Sequence, residues 1–130
     1  MKKITLFFVL AFCLTMVGCS KDGEINAFLT EWDSVTNDMV QKINAGDIDG
    51  AKTAFDAKKE SLKSKWASVK DAKGFQVSED TKKKMTDSAT KNMSALTSAM
   101  TANAMKFAAD KAKAEKLRAL ITEYGEIFKM

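Results

Sequence analysis

Histidine and proline are both absent from this chain, and a lone arginine, Arg118, stands among its 21 basic residues. The lack of histidine removes the commonest general base, the Ser–His and Cys–His nucleophile pairs, and most zinc and haem sites. Zero Pro with only six Gly argues against a turn-rich β fold or a Pro-rich linker. Two cysteines, Cys13 and Cys19, allow one disulfide and no framework of them. What remains is a 130-residue chain, 45% hydrophobic and 29% charged, the size and composition of one folded domain.

The apolar residues are unevenly spread. Lys2 and Lys3 precede a run from Ile4 to Val17 that only threonines and Cys13 interrupt, and small Gly18 then precedes Cys19. That is the order of a secretory signal. Its ~14 apolar residues would span roughly 21 Å as a helix, short of the ~30 Å bilayer core, so a transmembrane span is the weaker reading.

The segment Leu14-Thr15-Met16-Val17-Gly18-Cys19 resembles the lipobox of bacterial lipoproteins, with Met16 where Leu is usual. The resemblance implies cleavage between Gly18 and Cys19 and acylation of Cys19. It also implies residence in the cell envelope, with Ser20 after the cysteine permitting transfer to the outer membrane. Cys13 would leave with the signal and Cys19 would be consumed by lipid, so no thiol and no disulfide are expected in the processed chain. Two or three acyl chains anchor far more firmly than one, each buried methylene adding about 0.8 kcal/mol. A tether over residues 19–23 would hold the domain, residues 24–130, close to the bilayer.

Beyond the tether the chain reads as an all-α antiparallel helical bundle. Ile25, Phe28, Leu29, Trp32, Val35, Met39 and Ile43 recur at spacings of three and four, one apolar stripe over 24–44. Gly46 suits a left-handed C-cap, and Asp47 or Asp49 can cap a second helix carrying Ile48, Ala51, Phe55, Leu62, Trp66 and Val69 to about Ala72. Phe75 and Val77 are expected to dock a short loop onto the core. Ser78 before Glu79 and Asp80 starts a third helix, whose stripe reads Met85, Ala89, Met93, Leu96, Met100, Ala104 and Phe107. Ala114, Leu117, Ile121, Tyr124 and Phe128 repeat the rhythm. An unbroken helix over 79–128 would run about 75 Å, twice the length of its partners, so a break near Ala108–Ala112 with Asp110 as cap is expected. Four helices follow; three helices with a long bent last one is the alternative.

Charge is partitioned between these pieces. Residues 22–44 hold five acids and one lysine, while 49–73 hold seven lysines and four acids, so the first two helices attract each other weakly. The net charge of +4 falls to +2 from Cys19 onward. With one Arg and that small excess, nucleic acid is not an expected partner.

The residues around the first turn admit sharper readings. Gly46, Asp47, Ala51 and Phe55 resemble the inter-helix turn of a tetratricopeptide repeat, but no second copy exists and such arrays need about three. As a calcium loop, Asp47 and Asp49 would leave Ala45 at the first ligand position, which supplies no side-chain oxygen. Met85, Met93, Met100 and Met105 offer thioethers for Cu(I), yet the first three stand seven and eight apart, a core spacing. Ser88, Ala95, Ser98, Ala99 and Ala102 form a small-residue side of the third helix, suited to close helix packing or to a ligand groove. Trp32 and Trp66 fall on apolar stripes and read as core anchors.

No carboxylate interrupts an apolar stripe except Asp110 at the break, so no catalytic, cofactor or metal residue is assigned. The expected activity is that of a non-catalytic interaction module binding another envelope or surface protein. The competing expectation is a carrier of a small ligand or lipid along the third helix.

Overall fold

Four helices and their caps make up nearly all of residues 20–129, the part of the chain that the computed structural model describes. Helix α1 (Asp22–Asn44) buries the whole expected stripe from Ile25 to Ile43. Gly46 ends the hairpin turn at φ +78, the left-handed region where a side chain would be strained. The Asp47 carboxylate accepts the Gly50 N–H at 2.8 Å and caps α2 (Ile48–Val69). A single 3-10 turn, Gly74–Gln76, leads to Ser78, whose hydroxyl accepts the Thr81 N–H and caps α3 (Glu79–Ala108). The expected break falls at Asp110, which accepts the Lys113 N–H at 3.1 Å and opens α4 (Lys111–Glu126). The fold is an all-α bundle of four helices.

Consecutive helices alternate in direction, and the side-by-side pairs are α1/α2, α1/α3, α2/α4 and α3/α4. In the first pair, Glu31 meets Lys65 while Phe28 meets Trp66, an antiparallel match. In the second, Asp22 meets Ser78, Asp33 meets Asn92 and Asn44 meets Asn103, partners that advance together along both segments, so α1 and α3 are parallel. Helices α1 and α4 touch across the centre. There Phe28, Trp32, Trp66, Tyr124 and Phe128 form an aromatic cluster with centroids 5.0–6.2 Å apart, the offset and edge-on contacts that aromatic rings favour. The Tyr124 hydroxyl is the polar centre of this cluster, bonded to Trp32 Nε1 and, at 2.7 Å, to Thr36 Oγ1. Burial pushes the Tyr124 hydroxyl above its usual pKa of 10.0, so it stays a neutral donor.

Two expectations fail. The buried face of α3 is Thr81, Ser88, Asn92, Leu96, Ala99, Asn103 and Phe107, so only Leu96 and Phe107 of the apolar stripe lie fully inside. Met85, Ala89 and Met100 pack at its edge, Ala104 is exposed, and Met93 is 56% exposed. The buried face is turned by ~60° from that stripe, still sharing Leu96 and Phe107, toward Ser88, Asn92 and Asn103, which find polar partners on α1. Phe75 does not dock: it is 88% exposed, while Val77 packs against the core as expected. In addition, α1 begins at Asp22, and the Lys21 N–H already bonds the Gln76 carbonyl at 2.8 Å. Residues 22 and 23, expected ahead of the first helix, therefore belong to α1.

Opposite charges do join the helices, though not α1 and α2 alone. Lys65 pairs with Glu31 across α1/α2, whereas Lys52 and Lys59 converge on Glu123 of α4 at 2.9 and 3.3 Å. The hydrogen bond from Lys52 holds the Glu123 carboxyl below its ordinary value. Such part-exposed pairs contribute little beside the core. Among the described residues, no helix is long and apolar enough to cross a membrane.

Candidate functional site

The rotation of α3 determines what the molecule shows to its surroundings. The Asp33 carboxylate, on α1, accepts from Asn92 Nδ2 at 2.8 Å and Ser88 Oγ at 3.2 Å, with Lys91 Nζ at 3.8 Å. Eleven residues further along each helix, Asn103 Nδ2 donates to Asn44 Oδ1 at 3.0 Å and to the Ala99 carbonyl at 2.7 Å. These bonds satisfy a polar seam along the contact and fix the parallel register of the two helices. The small Ser88 and Ala99 lie within it, which is the close-packing role expected for part of the small-residue side.

With its amides turned inward, α3 presents Ser94, Thr97, Ser98, Thr101 and Met105 outward, all exposed, with Met105 at 88%. No charged residue occurs between Lys91 and Lys106, a length of about 21 Å at 1.5 Å per residue. The rest of the surface is dense in Lys, Asp and Glu. Absence of charge is one mark of the centre of a protein interface, and Met105 is of a type enriched there, while Ser94 and Ser98 are of a type that is not. Periodicity alone did not single out Ser94, Thr97 and Thr101. Their signal was the missing charge in that window.

A groove of about 330 Å³ runs along another side of the same helix, between α3 and α4. Met100, Ala104, Phe107, Ala114 and Leu117 line it, with Arg118 at its margin. Its volume is at the bottom of the range for ligand pockets, about 300–1,000 Å³. Two depressions of about 400 and 450 Å³ flank α1, but their walls are mostly polar and charged. Charged side chains in both, Asp33 with Lys91 and Glu31 with Lys65, are already paired to each other. Burial alone would raise the Glu31 carboxyl; the hydrogen bonds from Lys65 and Ser61 and the nearby lysine charges together outweigh it and leave it lowered.

The other singled-out residues have structural tasks. Asp110 is a helix cap, Asp47 caps α2 with Lys42 3.9 Å away, and Asp49 pairs with Lys116 at 2.9 Å. Those carboxylates do not converge on a cation. Among the described residues, no group of three or more His, Cys, Asp or Glu side chains is placed to hold a metal. Trp32 is buried, and Trp66 lies partly buried against the core. Gly18 and Cys19, the expected cleavage and lipid-attachment residues, lie outside the described residues. No protein-family model matches the chain, and neither a curated protein nor a solved structure is significantly similar to it.

Proposed function

We propose that this chain is a lipid-anchored protein of the bacterial cell envelope, held at the outer membrane, that binds another envelope or surface protein without catalysis. The lipobox-like residues ending at Cys19 support the anchor. The observation that carries the binding role is the uncharged outer face of α3 between Lys91 and Lys106, which packs on no other helix among the described residues. Its Ser and Thr hydroxyls can trade bonds with water for bonds with a partner, and Met105 supplies an adaptable apolar contact. The polar seam with Asp33 and Asn44 holds that face rigidly outward, which lowers the ordering cost of binding.

The experiment places a photo-reactive residue at Ser98 and, as a control, at Glu60, which lies on the charged surface of α2. Ultraviolet crosslinking in living cells should capture one stoichiometric protein from Ser98 and not from Glu60. Adding Thr101→Lys should abolish the capture without changing the unfolding midpoint. Equal capture from both positions, or capture that survives Thr101→Lys, contradicts the assignment of this face.

The groove between α3 and α4 favours a second reading, a carrier of an apolar ligand bearing an anionic end that Arg118 would meet. A carrier retains a small molecule through purification and loses it when Ala104→Trp fills the groove. An interaction module does neither.

A further inference from the structure

We infer that the end of the bundle carrying the 70–78 loop is a bilayer-contact surface, with Phe75 as the side chain that enters the headgroup–acyl boundary. The inference rests on the proposed anchor at Cys19 and adds to it an orientation and a second membrane contact. Two bonds tie the start of the described chain to this loop: the Lys21 N–H to the Gln76 carbonyl at 2.8 Å, and the Ser78 N–H to Asp22 Oδ1 at 2.9 Å. Cys19 lies two residues before Lys21, so its Cα stands no more than about 7 Å from it. Phe75 adjoins Gln76, which places it within roughly 15 Å of the lipid-bearing residue. An anchored chain therefore has this loop at the membrane surface, whatever the rest of the bundle does.

The side chains there suit that position. Phe75 is 88% exposed although a mostly apolar pocket of about 220 Å³, walled by Trp66, Val69, Val77 and Met85 with Lys70 and Lys82 also lining it, lies beside the same loop. The aromatic ring thus projects away from a core that has room next to it. Lys70 and Lys73 flank it, exposed, and neither has an ion-pair partner among the described residues. Three of the acids nearby are engaged, Glu24 by Lys21, Glu79 by Lys82 and Asp22 by the Ser78 N–H, while Asp71 and Asp80 are left to offset the two lysines. Charge consequently adds little, and the contact depends on apolar insertion of the kind that seats interfacial aromatics about 5–10 Å into the boundary. Its strength should change little with salt.

The test uses the chain expressed with its own leader in a bacterium and purified in detergent. Gly74→Cys carries an environment-sensitive fluorophore, since a Cβ at Gly74 meets nothing within 4 Å and Phe75 stays in place. Met105→Cys, on the opposite end of α3, is the control. In vesicles of phosphatidylethanolamine and phosphatidylglycerol doped with spin-labelled lipid, the label at 74 should be quenched and the label at 105 should not. Adding Phe75→Ser should remove at least about half of that quenching. Quenching equal at the two positions, or unchanged by Phe75→Ser, overturns the inference. The intact mass of the same preparation reports the anchor separately. If acyl mass on Cys19 is missing, the anchor reading falls, and quenching of a Cys19→Ser version added to the vesicles still decides the Phe75 contact.

Discussion

Asp33 is a half-buried carboxylate whose partners all come from α3. Leaving such a group without its hydrogen bonds costs more than the bonds themselves contribute, because its desolvation is then uncompensated. Asn92, 2% exposed, is therefore a stability determinant despite its polarity, and its apolar neighbour Met93 is not. Asn92→Ala should lower the unfolding free energy by about 1.5–3 kcal/mol, the range for a bond to a charged partner. Met93→Ala should change it by less than about 0.5 kcal/mol. Urea unfolding with an unchanged m-value checks both, and the reverse ranking would mean that α3 buries its methionine stripe after all. Apolar periodicity pointed to that stripe because it weighs each side chain alone. It cannot register that Asn92 and Asn103 find partners in Asp33 and Asn44, nearly sixty residues earlier in the chain.

The helices themselves were legible because their ends are local chemistry. Asp47, Ser78 and Asp110 cap the three helices that follow them, and Gly46 takes the left-handed turn that the hairpin needs. The Asp47 cap is unusually exposed to a change three residues on: a Cβ at Gly50 would stand 2.1 Å from Asp47 Oδ2. Asp47→Ala should cost about 1 kcal/mol, the usual value of a lost cap. Gly50→Ala also displaces the carboxylate, but it gains helix propensity of about 1 kcal/mol, so it should be nearly neutral. Once Gly50→Ala is in place, Asp47→Ala should cost nothing further. Thermal unfolding of the two single variants and the double variant checks this, and additive losses would show that the cap survives Gly50→Ala. The loop with Phe75 was misjudged for a related reason. An apolar residue between two helices has no period to assign its side, and its exposure follows from the 3-10 turn at Gly74–Gln76.

At the scale of the molecule, the arrangement separates three surfaces. One end gathers the start of α1, the 70–78 loop and Phe75. The flanks of α1 and α2 carry ion pairs such as Glu31 with Lys65 and Lys52 with Glu123. The outer face of α3 between Lys91 and Lys106 has neither charge nor, among the described residues, a helix over it. A four-helix bundle could be anticipated from stripe lengths, since an unbroken last helix would outrun its partners. The parallel direction of α1 and α3 follows from the alternation of consecutive helices, but their lying side by side could not be anticipated, because it depends on bonds such as Asp22 with Ser78 and Asn44 with Asn103 that no local pattern encodes.

The central claim is that a partner covers the outer face of α3 where the protein works. Methionine oxidation reads this directly, since Met105 lies on that face at 88% exposure and Met39 is fully buried. The measurement compares oxidised fractions after brief peroxide treatment of the purified chain and of intact envelopes. Met105 should oxidise readily in the purified chain and be protected in the envelope, with Met39 protected in both. Equal oxidation of Met105 in the two samples would contradict the account.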